Sequence, residues 1–355
     1  MTNENMTKSI SIESLTNFCV EAFTRVGLSR TDAETAATIL VTTDAMGVFT
    51  HGTKALAGYL NKLKGGGYRA TATPRIEREG AGWAIIDGES ALGLVGSDFA
   101  MRTAMAKARN VGIAYVGLRN TGHIGAAGYY AATAARAGFI GMVTGNDIPS
   151  VAAPGSRGAV LGSNPIAYGV PVGNGDPILL DMATAAVAGG KIYAALQRGE
   201  PIQPSWLIDH EGKPTTDGSL YPAKAALAPM AGHKGYGFGL WCEILSAILP
   251  GGHMTWQVGS WIFDDPARPS YHNASFIAID VGAMVPLDQF EQRLQRLIDE
   301  IHATPTAGGV ERVLLPGERE WAQRRKSQTE GISLPQDVID KLRQAAAHVG
   351  MESPL

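Results

Sequence analysis

The chain has 355 residues, of which 45% are hydrophobic and 18% charged, with 44 glycines; this suits a compact α/β enzyme and excludes a disordered or fibrous chain. Thirty basic residues against 33 acidic ones leave a formal charge of −3, which offers no electrostatic footprint for nucleic acid or an anionic membrane. Cys19 and Cys242 each sit in an apolar helical pattern and are expected to be buried thiols in a reducing compartment. No signal-peptide core or membrane-length apolar window is present, so a soluble cytoplasmic protein is expected.

The N-terminal third reads as helical. Residues 11–26 form an amphipathic pattern with Leu15, Phe18, Cys19, Ala22 and Phe23 on one side, stopped by Gly27. A second helix is predicted over Thr31–Val48, opened by a capping box of Thr31 and Glu34. It delivers His51 between Gly47 and Gly52, followed by a helix over Lys54–Leu63 that ends at Gly65, Gly66 and Gly67. An imidazole there can exchange a proton near neutral pH, with Thr50 orienting a ring nitrogen, or it can be a structural side chain; spacing alone leaves both open.

After Pro74 the rhythm alternates: strands at Trp83–Ile86, Val111–Gly117 and Phe139–Thr144, helices at Ser97–Asn110 and Ala126–Ala137. Asp147–Pro177 reads as a long irregular functional surface, and Ile178–Leu180 as a short buried strand ending in Asp181. An alanine-rich helix is predicted over Ala183–Leu196, and surface turns at Asp209–Lys213 and Asp217–Gly218. Gly235–Leu249, with Tyr236, Phe238, Leu240, Trp241 and Ile248, reads as a core helix. A strand at Ser275–Val281, a helix at Asp288–His302, a charged tail after Glu318 and a last helix at Pro335–His348 complete the chain. Three regions are expected: a helical N-terminal region (1–75) carrying the proton donor, an α/β cofactor and substrate region (76–320), and a helical tail (321–355) packing back on the first.

Three further stretches can carry chemistry. Asn120–Gly128, containing His123, lies between a strand and a helix, where its glycines either admit a phosphate or merely turn the chain. Asp181, at the carboxyl end of a strand, can bind a cofactor hydroxyl, hold a histidine in one tautomer, or cap the next helix. Lys191 can neutralise a phosphate, polarise a carbonyl, or remain a solvated charge. Gly-x-Gly-x-x-Gly after a first strand, the Walker phosphate loop, His-Glu-x-x-His, paired cysteines and Gly-x-Ser-x-Gly are all missing. Ordinary dinucleotide folds, zinc sites and acyl hydrolases are therefore not expected.

Seven short motifs occur in one order: Asp44-x-x-Gly47-x-x-Thr50-His51-Gly52, Asn120-x-x-His123-x-Gly125-Ala126-Ala127-Gly128, Gly162-Ser163-Asn164-Pro165, Leu180-Asp181-Met182-Ala183-Thr184, Gly190-Lys191-Ile192, Lys234-Gly235-Tyr236-Gly237 and Pro316-Gly317-Glu318. In these the chain resembles the malate/L-lactate dehydrogenase family distinct from Rossmann enzymes, which includes sulfolactate, ureidoglycolate, diketogulonate and Δ1-piperideine-2-carboxylate oxidoreductases. The resemblance implies a non-Rossmann α/β NAD(P)-binding fold, NAD or NADP as cofactor, a homodimer with the site near the subunit boundary, and hydride exchange with a 2-oxo or 2-hydroxy acid.

It implies His51 as proton donor and acceptor, supported by Thr50, Asp181 and Lys191. Ser163, Asn164 and His123 would meet the substrate. Ile124, Gly125, Ala126, Ala127, Ile178, Leu180, Asp181, Met182, Ala183, Thr184, Lys234, Gly235, Gly317 and Glu318 would meet the cofactor, with no metal. Two positions depart from the family pattern. Thr50 replaces the usual Ser, and Ala55 stands where an Arg usually pairs with the substrate carboxylate, a charge-assisted contact of about 1.5–3 kcal/mol. Lys54 would project about 100° away around a helix, so Arg119, Arg157 or Lys191 are the candidate replacements. Reduction of a cyclic or N-alkyl imine, or a silent dinucleotide-binding sensor, are the alternatives that Ala55 raises.

Overall fold

The computed structural model describes residues 8–355. Strand β1 (Lys8–Ile10) leads into α1 (Ile12–Arg25) and α2 (Arg30–Ala45), whose apolar faces bury Leu15, Phe23, Ile39 and Leu40 completely. Ser29, not Thr31, caps α2: its Oγ accepts the Asp32 N–H at 3.1 Å and donates to the Asp32 carboxylate at 2.7 Å. The capping box expected at Thr31, two residues later, is replaced because Ser29 already accepts the Asp32 N–H. Two 3₁₀ turns, Phe49–His51 and Thr53–Ala55, precede α3 (Leu56–Gly65), so the helix predicted from Lys54 starts two residues later.

The middle of the chain supplies β2 (Arg75–Gly80), β3 (Trp83–Asp87), α4 (Gly93–Val111), β4 (Ile113–Thr121), α5 (Ala127–Arg136) and β5 (Phe139–Gly145). The stretch expected to be irregular holds three short strands, β6 (Val151–Ala152), β7 (Ala159–Leu161) and β8 (Ile166–Val170), followed by β9 (Ile178–Met182) and α6 (Gly189–Gln197). Helix α6 begins six residues later than predicted, because the Thr184 and Ala186 N–H groups are taken by the Ser163 and Ala228 carbonyls and Ala185 bridges to Pro229. Then come β10 (Leu207–Asp209), β11 (Pro214–Thr215), β12 (Ala225–Leu227), α7 (His233–Glu243), β13 (His272–Asp280), α8 (Val281–Met284) and α9 (Leu287–His302). The charged tail is mostly helical, as α10 (Glu318–Glu330), before β14 (Ile332–Leu334) and α11 (Gln336–Val349).

A seven-stranded sheet in the order β2-β3-β4-β13-β5-β8-β9 forms the centre, with only β3 and β4 parallel. The continuous core joins this sheet to α1–α5, α10 and α11, while β11-β10-β12-β6-β7 forms a second sheet with its own small core around Ile192 and Leu207. Strand β1 pairs with β14, and α11 packs on α3. Both cysteines are buried and free. Among the described residues no helix is long and apolar enough to cross a membrane.

One expectation about the core fails. Helix α7 buries Gly235, Gly239 and Cys242 but exposes Phe238, Leu240 and Trp241, and the π turn after it exposes Ile248. Apolar character without a clear stripe could not show which side faces inward.

Helix α5 is seated by two glycines that stand opposite each other in register, Gly141 of β5 and Gly169 of β8. A Cβ at Gly141 would come within 2.6 Å of the Ala134 Cβ, and one at Gly169 within 2.4 Å of the Ala131 carbonyl. The helix backbone thus rests directly on the sheet. Overpacking such a contact costs about 1–3 kcal/mol, so Gly169→Ala should lower the unfolding free energy by about that amount in a denaturant titration; unchanged stability would contradict this packing.

Candidate active site

A buried carboxylate builds the turn that carries His51. Asp44, fully buried near the end of α2, accepts the Thr53 N–H at 3.1 Å and the Thr53 hydroxyl at 2.5 Å through Oδ2. Its Oδ1 has no hydrogen-bond partner and lies where a Cβ on Gly52 would come within 1.8 Å. Gly52 is therefore obligatory, and Gly47, at φ +80°, turns the chain out of α2. Burial raises the Asp44 carboxyl from its ordinary 3.8 to about 7, against the lowering effect of the two Thr53 bonds. At the exit of this turn Thr50 Oγ1 lies 2.9 Å from His51 Nδ1, which fixes the ring and leaves Nε2 free.

His51 faces a cavity of about 1230 Å³, larger than the 300–1,000 Å³ usual for a small-ligand pocket. Its ring stacks on His123 at 5.8 Å between centroids. His123 accepts at Nδ1 from the Tyr59 hydroxyl at 2.7 Å and is stacked by Trp261 at 4.6 Å. Burial, and then the charges of His272 and His51, hold His123 well below the usual imidazole range, so it is a neutral donor through Nε2. Behind it His272 Nε2 meets Asp147 Oδ1 at 3.1 Å.

Asp181 projects into the cavity from the end of β9, and its Oδ2 accepts the Gly128 N–H of the first turn of α5 at 2.7 Å. A Cβ on Gly128 would stand 2.8 Å from the Asp181 side chain. Of the three roles open to Asp181, the observed bond is helix capping, but onto the preceding cavity helix rather than the next one. Although its oxygens are open to the cavity, protein walls that displace bulk water raise its carboxyl above the usual range, opposed by the Gly128 bond and the positive charge of His51. No hydrogen bond joins Asp181 to His51, so any influence between them is electrostatic.

Most expected site residues converge on this cavity: Thr50, His51, His123, Ile124, Gly125, Ala126, Ala127, Ser163, Leu180, Asp181, Met182, Ala183, Lys191 and Gly317 line it. Six do not. Asn164 is buried, donating to Glu243 at 2.8 Å and to the Gly239 carbonyl at 3.0 Å. Thr184 is buried against the Ser163 and Asn164 carbonyls. Glu318 turns back to accept the Leu315 N–H, and Ile178, Lys234 and Gly235 lie off the cavity. Asn164 and Thr184 are thus braces for the Ser163 loop, a placement their motif positions could not reveal.

Ala55 lines the cavity, and Lys54 pairs instead with Asp337 of α11 at 2.6 Å. Arg119 is engaged by Glu77, and Arg157 lies off the cavity, which leaves Lys191 as the candidate that reaches it. Sequence reasoning missed Tyr59, Asp147, Trp261 and His272, since all come from positions between or beyond the motifs. Among the described residues no group of three or more His, Cys, Asp or Glu is placed to hold a metal.

The profile of the malate/L-lactate dehydrogenase family matches residues 10–343. The chain belongs to this family and is an oxidoreductase. It is 35% identical to the malate dehydrogenase of Pyrococcus horikoshii over 347 residues, 96% of this chain and 95% of that one. The solved structure of that enzyme superposes with a TM-score of 0.89 at 34% identity, covering 99% and 98% of the two chains. The ureidoglycolate dehydrogenase (NAD(+)) of Escherichia coli K12 is 35% identical, with 94% of both chains covered. The Δ1-piperideine-2-carboxylate reductase structure from Pseudomonas syringae superposes with a TM-score of 0.85 at 28% identity, over 96% of this chain and all of that one.

The raised Asp44 carboxyl has a signed consequence. The folded state holds a proton that the unfolded chain releases near 4, so stability from this group is full below about 4 and lost as pH rises toward about 7. Asp44→Asn should flatten the pH dependence of unfolding free energy across that window; an unchanged slope would contradict the assignment.

Proposed function

We propose that this protein transfers a hydride between NAD or NADP and a 2-oxo or 2-hydroxy acid, with His51 giving the proton to, or taking it from, the substrate oxygen. The observation that carries this reading is the His51 ring, tied by Thr50 at Nδ1, open at Nε2, and set in a cavity with Asp181 and His123. The relatives' names support the same chemistry.

The cavity suits a dinucleotide. It passes the α2–α3 turn, the start of α5, the end of β9 and Pro316–Gly317, and its walls include Gly125 and Gly317, whose left-handed backbones (φ +71° and +91°) pack against Leu94 and Leu179. When bound, the nicotinamide supplies or takes the hydride. As the imidazolium, His51 gives its Nε2 proton to the substrate oxygen and becomes neutral; Thr50 holds the ring through Nδ1, and the nearby Asp181 charge favours the imidazolium. His123 offers a neutral N–H donor, and Lys191 takes the carboxylate that an arginine at Ala55 would otherwise hold.

Ala55 also favours a second reading, reduction of a cyclic or N-alkyl imine of the kind named in the Pseudomonas syringae relative. Comparing pyruvate, oxaloacetate and piperideine-2-carboxylate by loss of reduced-nicotinamide absorbance separates the two. A catalytically silent sensor is the reading left if none of a broad panel is reduced.

The exposed apolar face of α7 and the following loop, with Phe238, Trp241, Ile248, Trp256 and Phe263, supports a homodimer. Because Ile262 and Phe263 also line the cavity, the partner would close one side of it. Trp241→Glu should convert the dimer to monomer in sedimentation equilibrium, and a monomeric wild-type chain would contradict the assembly. His51→Ala should keep cofactor binding but lose about 10²–10⁴-fold in kcat; retention of most turnover would remove His51 from its role. Lys191→Met should raise KM about tenfold or more with a smaller change in kcat, and an unchanged KM would contradict carboxylate binding there.

A further inference from the structure

One directed chain of hydrogen bonds leads from the backbone at His123, through buried side chains behind the cavity, to a carboxylate on its wall. The His123 backbone N–H donates to the Tyr68 hydroxyl at 3.0 Å, which lies 3.0 Å from Ser270 Oγ, which lies 2.9 Å from His272 Nδ1. His272 Nε2 then meets Asp147 Oδ1 at 3.1 Å. A single assignment satisfies every member: Tyr68 donates to Ser270, Ser270 to His272, and His272 to Asp147, which must then be the accepting, ionised end. Burial pushes the Asp147 carboxyl up, but the hydrogen bonds from His272 and the Ile148 N–H oppose it, and the group is held below the usual range.

Asp147 Oδ1 also accepts the Ile148 N–H at 2.8 Å, and the half-buried carboxylate lines the cavity. Its one ion-pair partner among the described residues is His272, itself buried. The other charged groups on the cavity are held by different elements. Lys54 is committed to Asp337, Arg319 and Lys341 belong to α10 and α11, Lys191 to α6, and Glu320 and Asp181 are acidic.

Facing the same region is a rigid aromatic wall. The Trp261 indole stacks on His123 and on Tyr59 at 4.6 and 4.8 Å, and lies so close to α3 that a Cβ on Gly58 would come within 2.7 Å of it. Its loop is pinned from below: the buried Lys62 ammonium donates to the Asp265 and Arg268 carbonyls, both at 3.0 Å, and Gly67 N–H to the Pro266 carbonyl at 2.9 Å. Gly58, without a side chain, leaves that space to the indole.

We propose that Asp147 and Trp261 select a substrate whose group distal to the reacting carbon is an uncharged or cationic hydrogen-bond donor, such as an amide or amine, and reject substrates with a second anion there. This rests on the reading of His51 as proton donor to an oxo acid. An anion set beside Asp147 would lose solvent and meet like charge, whereas an N–H group would satisfy the carboxylate and lie flat on the indole.

The test is steady-state reduction of oxaloacetate and of its isostere 2-oxosuccinamate, which differ at the distal group only in charge, with pyruvate as a reference lacking that group. Wild-type enzyme should favour the amide by tenfold or more in kcat/KM. Asp147→Asn should raise kcat/KM for oxaloacetate about tenfold and shrink that preference, whereas Asp147→Glu should retain the wild-type order. Equal use of the two isosteres, or a preference unchanged in Asp147→Asn, overturns the selection while reduction of pyruvate leaves the His51 reading standing. No reduction of any of the three acids by enzyme that binds the reduced cofactor overturns both.

Discussion

The geometry of the site depends on one buried carboxylate. Asp44 leaves α2 fully out of water and uses one oxygen for both the N–H and the hydroxyl of Thr53, closing a nine-residue turn that presents His51 to the cavity. Its second oxygen is pressed against Gly52 without a partner, an arrangement that costs stability when the group is charged. Strain of this kind persists where the surrounding packing over-determines it. Here α10 meets α2 and α11 meets α3, so the turn is clamped from both sides by the last helices of the chain.

The cavity separates its electrostatic tasks along its walls. Asp181 is bound to the first turn of α5 and faces His51 through charge alone, while His123 is kept neutral between two other histidines. The two stacked imidazoles thereby differ: His51 is tied at Nδ1 and open at Nε2, whereas His123 is enclosed and held neutral. The Asp147–His272 pair places a carboxylate on the cavity wall, and Ala55 leaves its own stretch of that wall without a charge.

Much of this was legible in the sequence because glycines and short motifs record where backbones meet. Gly52 is fixed by Asp44, Gly128 by Asp181 and Gly317 by Leu179, and each lies in a motif read before any geometry was known. Buried strands and amphipathic helices were placed within a few residues for the same reason, since one inward face leaves a periodic trace. What escaped was set by contacts distant in sequence. Asn164 belongs to the Glu243 network 79 residues away, and Tyr59 finds His123 across 64, so neither has a local signature. Helix α7 reads as a core helix although Phe238, Leu240 and Trp241 face outward, because its apolar residues form no clear stripe, and α10 is hidden by its polarity, with only Trp321 and Ser327 buried.

The account stands or falls on whether the Asp44–Thr53 contact acts through His51. A double-mutant cycle measures this: Thr53→Val, which keeps the shape and removes the hydroxyl, is introduced into wild-type enzyme and into His51→Gln, and kcat/KM is compared on the oxo or imino acid reduced best. A contact that positions the histidine predicts a loss of about tenfold or more in the wild-type background and almost none in His51→Gln. Equal losses in both backgrounds would show that the contact supports the fold alone and would contradict the account.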